Sequence, residues 1–361
     1  MSIVSTGSKI LSQEAKAVAG GRFDSKIGKV TRSLNRIAIE AQKADSVAYT
    51  FPKATPEDLI RLTSDKIEDA YKRVTWTNPK DKKVYHILED GRKNGLVQVR
   101  ILDSEGAFVK NAELEPKTIV VFDNFYSPRG MTHGEIMETF VKRFNPFANV
   151  ERLEHKKGLY EIIRYRGKNP MHLETKRFAQ LEKQIEKGKK VDYISVSEAH
   201  LVNAEDVVRM SGDKQLEYVG QSPYIDDIAP IFQRIASTGT RIFEAAGNER
   251  NFAKELVSDR LAIDGVEGVG SIVDGTIAKD SCSRNSIFTQ HYEQRNYFAK
   301  LVKDENGKPL GVNITGLKGV DLPINRKTVK LIDRPFGGTS YAVPVRVAKL
   351  SLAEMMEKAN L

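Results

Sequence analysis

Four side chains in this sequence could between them attack a carbonyl carbon: the carboxylate of Asp123, the imidazole of His133, the amide of Asn248 and the hydroxyl of Ser340. A serine hydroxyl does not ionise unaided near neutrality, so it needs a partner to become a nucleophile. A neutral imidazole can take its proton and return it to the leaving group. A carboxylate can hold that imidazole in the right tautomer and stabilise its charged form, and an amide can donate to the negative oxygen of a tetrahedral intermediate. Asp123 follows the apolar run Thr118-Ile119-Val120-Val121-Phe122, and His133 is followed by Gly134. Asn248 closes Ala245-Ala246-Gly247-Asn248, and Ser340 lies between Gly337-Gly338-Thr339 and Tyr341-Ala342-Val343-Pro344. Taken singly, each has an ordinary structural explanation: a helix or turn cap, a structural histidine, a turn, a glycine-rich bend before a core helix. The set carries the argument. It also favours His133 over His86, His155, His172, His200 and His291, because His133 starts a helical pattern downstream of an acid that ends a strand.

The elements that must position these groups are visible in the hydropathy pattern. Thr118–Phe122 is a continuous β-branched run of the kind that lies buried on both faces of a parallel sheet. Helices are expected from about Thr132 to Pro146, through Leu173, Phe178, Leu181 and Ile185 to Gly188, along Ile225, Ile228, Ile231, Phe232 and Ile235, and from Ser340 through Met355 with Pro344 in the first turn or so. Strands are expected at 191–196, 241–246 and 266–273, and a hairpin around Asn306-Gly307. This β-α-β-α alternation predicts a doubly wound α/β fold, a mostly parallel sheet with helices on both faces, over residues 116–361. In such sheets sites gather at the carboxyl ends of strands, where Asp123 and Asn248 fall. Residues 1–115 read as a smaller α+β region behind an N-terminal arm: a helix starting at Thr55-Pro56-Glu57-Asp58, then strands at 84–88 and 96–102 with Asp90-Gly91 and Asn94-Gly95 as turns. Residues 151–190 hold 12 basic and 6 acidic side chains with helical periodicity and read as a solvated helix face with flanking loops.

In this order the motifs resemble the active site of the subtilisin-like serine proteases, the subtilases, whose chain order is Asp, His, Ser. Gly338-Thr339-Ser340-Tyr341-Ala342-Val343-Pro344 matches their nucleophile pattern. The resemblance covers about residues 116–358. It implies a serine endopeptidase acting through Asp123, His133 and Ser340 and an acyl-enzyme, with Asn248 donating to the oxyanion. It also implies that Ser197, Glu198 and Ala199, with Ala245, Ala246 and Gly247, line the substrate cleft, and Glu198 would favour basic side chains there. The sequence departs from the family in three places. Asn124-Phe125 follows the acid instead of Thr/Ser-Gly, Glu135 stands where Thr is common, and only ten residues separate Asp123 from His133. These describe a divergent member with a trimmed strand-to-helix loop. Residues 1–115 would then be a pro-domain or a permanent accessory domain.

A catalytically inactive subtilase-fold protein that binds peptides is the alternative, and an unrelated α/β nucleotide or nucleic-acid binder is a third reading. Against the last, there is no Walker-type phosphate loop, and the excess charge of +9 is not interleaved with aromatics. Residues 1–110 carry 20 basic and 14 acidic side chains, so two-thirds of that excess precedes the motifs. No cofactor is expected. Calcium stabilises many subtilases, but no acidic loop has a calcium pattern, and no His/Cys spacing suggests a metal. The expected partner is a peptide or protein substrate. A single cysteine, Cys282, excludes an internal disulfide framework. No run of about 18 apolar residues suggests a membrane span. The N-terminus has no apolar signal core and carries seven basic residues among its first 36, so the expected location is cytoplasmic, or reached by a route without a standard signal peptide.

Overall fold

The computed structural model describes residues 73–127, 130–154, 171–203, 207–209, 216–218, 223–248, 256–278, 281, 289–294, 297–333 and 335–361. The chain divides into compact units Met1–Leu59 and Ile60–Leu361, and every described residue belongs to the second. The N-terminal arm and the helix expected from Thr55 lie outside the described residues.

The described chain begins with an antiparallel meander, β1 (Arg73–Thr77), β2 (Val84–Lys93), β3 (Leu96–Asp103) and β4 (Phe108–Leu114), paired in that order. Asn94 and Gly95, with φ of 52° and 79°, form the turn between β2 and β3, since a two-residue hairpin that matches strand twist needs positive φ at both positions. Asp90-Gly91, expected as a second turn, instead lies inside β2 where the register shifts between Glu89 and Gly91. A bulge also uses glycine's freedom, so the dipeptide alone does not distinguish the two.

The second part alternates strands and helices. β5 (Thr118–Asp123) leads to α1 (His133–Phe144), β6 (Asn149–Glu154), α2 (Met171–Glu186) and β7 (Tyr193–Val196). Short strands β8 (Leu201–Asn203), β9 (Val207–Arg209) and β10 (Leu216–Tyr218) precede α3 (Pro223–Ser237) and β11 (Arg241–Ala245). Then come β12 (Leu256–Ser258), a 3-10 turn at Asp259–Ala262, β13 (Val266–Val273), β14 (Thr276–Ile277) and β15 (His291–Gln294). β16 (Tyr297–Phe298), the hairpin β17 (Lys300–Lys303) and β18 (Pro309–Asn313), β19 (Leu322–Pro323) and β20 (Pro335–Phe336) lead to α4 (Thr339–Lys358). The central seven-stranded sheet has the order β14-β13-β11-β7-β5-β6, with β15 also on β13. All its pairings are parallel except β13 with β14.

Successive residues of β5 feed opposite cores, as the period of a strand requires. Ile119 and Val121 join residues of α1 and α4, while Val120 and Phe122 join residues of α2 and α3. That double covering is why β5 reads as unbroken apolar sequence. β6 is the exception to the reading from sequence: residues 151–154, taken with the helical stretch, finish a strand at the sheet's edge. Its sequence Asn-Val-Glu-Arg-Leu-Glu is half-exposed and charged, as edges are.

Candidate active site

Because the strands are parallel and the intervening helices run back along them, strand exits and helix starts meet at one edge of the sheet. Asp123 is the last residue of β5 and is fully buried. His133 is the first residue of α1, whose start is fixed by a reciprocal cap. The Thr132 hydroxyl accepts from the Glu135 N–H, and the Glu135 carboxylate accepts from the Thr132 N–H at 2.8 Å. Glu135, a departure from the family pattern, therefore has a structural task of its own.

The Asp123 carboxylate accepts twice, from His133 Nδ1 at 2.7 Å and from the Asn124 N–H at 2.6 Å. An ionised carboxylate only accepts, so the imidazole proton sits on Nδ1 and Nε2 is left as an acceptor. Ser340 Oγ lies 3.3 Å from that Nε2, in position to donate its hydroxyl proton. The Tyr341 ring meets the imidazole nearly edge-on, at 5.5 Å between centroids, and limits how the ring can turn. Burial disfavours the imidazolium, but the hydrogen bond and charge of Asp123 outweigh it, and Glu198 adds to them, so His133 titrates above its ordinary value. Burial pushes the Asp123 carboxyl upward, with His133 pulling the other way.

The ten-residue spacing between Asp123 and His133 is closed by direct contact of strand and helix. The Gly134 N–H donates to the Asn124 carbonyl at 3.0 Å, and a side chain at Gly134 would meet the Phe125 ring at 2.9 Å. Asn124-Phe125 thus takes the place of a longer loop.

Ser340 is the second residue of α4, so its own N–H has no carbonyl a turn earlier to bond. Gly338 caps the helix with φ of 126°, and a Cβ there would sit 3.0 Å from Asn248 Nδ2. Both the backbone conformation and the close approach require glycine. Thr339, buried, ties the two motifs together. Its N–H donates to Asn248 Oδ1 at 2.7 Å, and its hydroxyl accepts from the Gly247 N–H at 3.0 Å. With its oxygen engaged by a backbone donor, Asn248 presents its NH₂. Pro344 is the sixth residue of α4, at the end of the first turn or so expected for it, and lacks the N–H that would reach the Ser340 carbonyl.

The other cleft residues expected from sequence also stand at strand exits. Ser197, Glu198 and Ala199 follow β7, with Ser197 buried. Ala245 ends β11, and Ala246 and Gly247 follow it, Gly247 with φ of 106°. Glu198's charge is felt by both Asp123 and His133. His200 pairs with Asp259 and His291 with Glu267, each at 2.6 Å, so a histidine–carboxylate pair alone does not mark chemistry. What sets His133 apart is a serine hydroxyl at a helix start beside its second nitrogen.

Sequence reasoning missed Thr339 as the link between the motifs and missed a buried cluster of Arg260, Glu244 and Glu174 behind the cleft. Among the described residues no group of three or more His, Cys, Asp or Glu side chains could hold a metal ion, and no helix is long and apolar enough to cross a membrane.

No protein-family model matches the chain, and no curated protein matches it. Solved structures do. The prenylagaramide maturation protease PagA matches at 14% identity over 67% of this chain and 77% of that one, with a TM-score of 0.39. The self-cleaved protease domain of PatA matches at 14% identity over 67% and 82%, with a TM-score of 0.40. The epidermin leader peptide processing serine protease EpiP from Staphylococcus aureus matches at 12% identity over 68% of each chain, with a TM-score of 0.40.

Proposed function

We propose that this chain is a serine endopeptidase that hydrolyses peptide bonds through an acyl-enzyme. The observation that carries the reading is the unbroken line from Asp123 to His133 at 2.7 Å and on to Ser340 at 3.3 Å. Ser340 Oγ attacks the substrate carbonyl carbon while its proton passes to His133 Nε2, and Asp123 stabilises the resulting imidazolium. The oxygen that becomes negative is met by the Asn248 NH₂ and the Ser340 N–H, donors held in place before the reaction starts. One such donor is worth about 10²–10³ in turnover in subtilisin, the worked case for this effect. Collapse of the intermediate expels the amine, which takes the proton from Nε2, and water then repeats the sequence to release the acid.

Every group used is a side chain or backbone N–H of the chain itself. The substrate is a peptide or protein lying between residues 197–199 and 245–247, and the charge of Glu198 favours a basic side chain near the scissile bond.

A fluorophosphonate, which phosphonylates activated serines, tests the reading. The wild-type protein takes up the label and hydrolyses peptides, while Ser340→Ala does neither. A folded wild-type protein that remains unlabelled would instead make the chain a peptide-binding member of its fold.

A further inference from the structure

Arg260 is a fully buried guanidinium whose donors reach three separate elements. Its Nε and Nη2 donate to Glu244 Oε1 at 3.0 and 2.8 Å, and its Nη1 donates to Glu174 Oε2 at 2.6 Å. Nη2 also donates to the backbone carbonyl of Glu198. The Ser258 hydroxyl donates to the same Glu244 oxygen at 2.9 Å. Burying a guanidinium with two carboxyl groups is weak grounds for stability, because apolar residues of similar volume often do as well. What the cluster supplies is geometry.

Glu244 stands in β11 directly before Ala245-Ala246-Gly247, and Glu198 is the second residue past β7. The two strands are paired up to Glu244 opposite Val196, and beyond that point the sheet no longer holds them together. The guanidinium bridges them there, with Glu174 in the first turn of α2 as a third anchor. The segment carrying Arg260 grips the same loop again. The Asp259 N–H donates to the His200 carbonyl at 2.9 Å, and β12 pairs with β8. A planar fork with fixed donor directions suits this task, whereas the point charge of a lysine does not.

We propose that Arg260 is a positioning residue for the peptide substrate: by holding the Glu198 carbonyl against Glu244 it sets the separation of the two cleft walls, 197–199 and 245–247. This rests on the serine peptidase reading. The hydrogen bonds of Arg260 given above run to Glu244, Glu174 and the Glu198 carbonyl, in the cleft walls and behind them, so its loss acts on how an extended peptide is held and spares the serine's reactivity.

The test compares Arg260→Lys and Glu174→Gln with wild type on a peptide substrate several residues long and on a small alkyl fluorophosphonate without a peptide portion. For Arg260→Lys, kcat/KM on the peptide falls about tenfold, chiefly through KM, while the labelling rate of Ser340 stays within about twofold of wild type. Glu174→Gln keeps an acceptor for Nη1 but loses its charge, and raises KM about threefold. If labelling falls in parallel with peptide turnover, Arg260 merely supports the fold and the proposal is wrong. It is equally wrong if KM is unchanged in both variants. Should Arg260→Lys not fold, as thermal unfolding would reveal, Glu174→Gln decides by the same two readouts. Failure of the peptidase reading looks different, because the wild-type protein itself would then go unlabelled.

Discussion

His133 sits in a place that burial alone would make uncharged, yet Asp123 and Glu198 together hold its pKa above 6.5. A general base must be neutral, and a histidine is neutral above its pKa. On the proposed peptidase reading, activity is therefore expected to fall as the pH drops through a value raised above the ordinary histidine one, and the acid limb of kcat/KM reports it. Stability runs the other way. A histidine whose pKa is raised on folding stabilises the fold below its unfolded value and loses that contribution as the pH rises through the folded one. The active form is thus the one without this stabilisation. Glu198→Gln removes one of the upward influences, so its acid limb moves to lower pH. A profile that stays put, or moves up, would show that the Glu198 carboxylate does not act on His133.

At the scale of elements, the site depends on how closely β5 and α1 are joined. The first turn of α1 lies against the strand exit, with the Phe125 ring where a side chain at position 134 would be. Gly134→Ala places a methyl carbon 2.9 Å from two ring carbons and 3.0 Å from the Asn124 carbonyl oxygen. The ring can turn aside more readily than the backbone can, and overpacking of this kind costs about 1–3 kcal/mol. The Asn124 carbonyl, which is backbone and cannot turn aside, follows directly on Asp123, and His133 directly precedes the substituted residue, so whatever strain the ring does not relieve falls on the geometry of the pair. Gly134→Ala is expected to lower the melting temperature and kcat together. A variant with wild-type turnover would mean that the junction tolerates more than its packing suggests.

For the whole molecule, the question left by the sequence is whether the strands before residue 115 are a removable segment or part of the body. Val74, Trp76, Ile87, Val97, Val99, Ile101 and Leu114 share one core with Leu352, Met355 and Met356 in the last turns of α4. Lys110 Nζ also donates to the Ala359 and Asn360 carbonyls at 3.1 Å each. The helix whose second residue is the serine thus ends against the meander, and without it those apolar side chains would face water. Trp76, the single tryptophan, lies in β1 and reports on the meander, while far-UV circular dichroism reports mostly on the helices. The two signals should lose structure in one coincident transition. Leu352→Ala should shift both equally, by about 2–5 kcal/mol. Two separated transitions would make the meander an independent domain.

The local sequence determined a good deal here. A strand buried on both faces is apolar over most of its length, so β5 is legible without coordinates, as are β7 and β11 despite Ser195 and Glu244 within them, and helices with one buried face announce themselves by their period. The groups able to do chemistry were legible too, because a serine shortly after paired glycines at a helix start and an acid at a strand end are local patterns. The edge strand β6 was not legible, since half-exposed charged residues look alike in strand and helix. Neither was the choice between bulge and turn at Asp90-Gly91, which depends on the register of a neighbouring strand. The Arg260 cluster was out of reach altogether. Its carboxylates come from Glu174 and Glu244, 86 and 16 residues away, and in a sequence such charges read as solvent-facing. Only folding brings them within hydrogen-bonding distance and shuts out water, because pairing of buried charges depends on separation in space, of which chain order keeps no record.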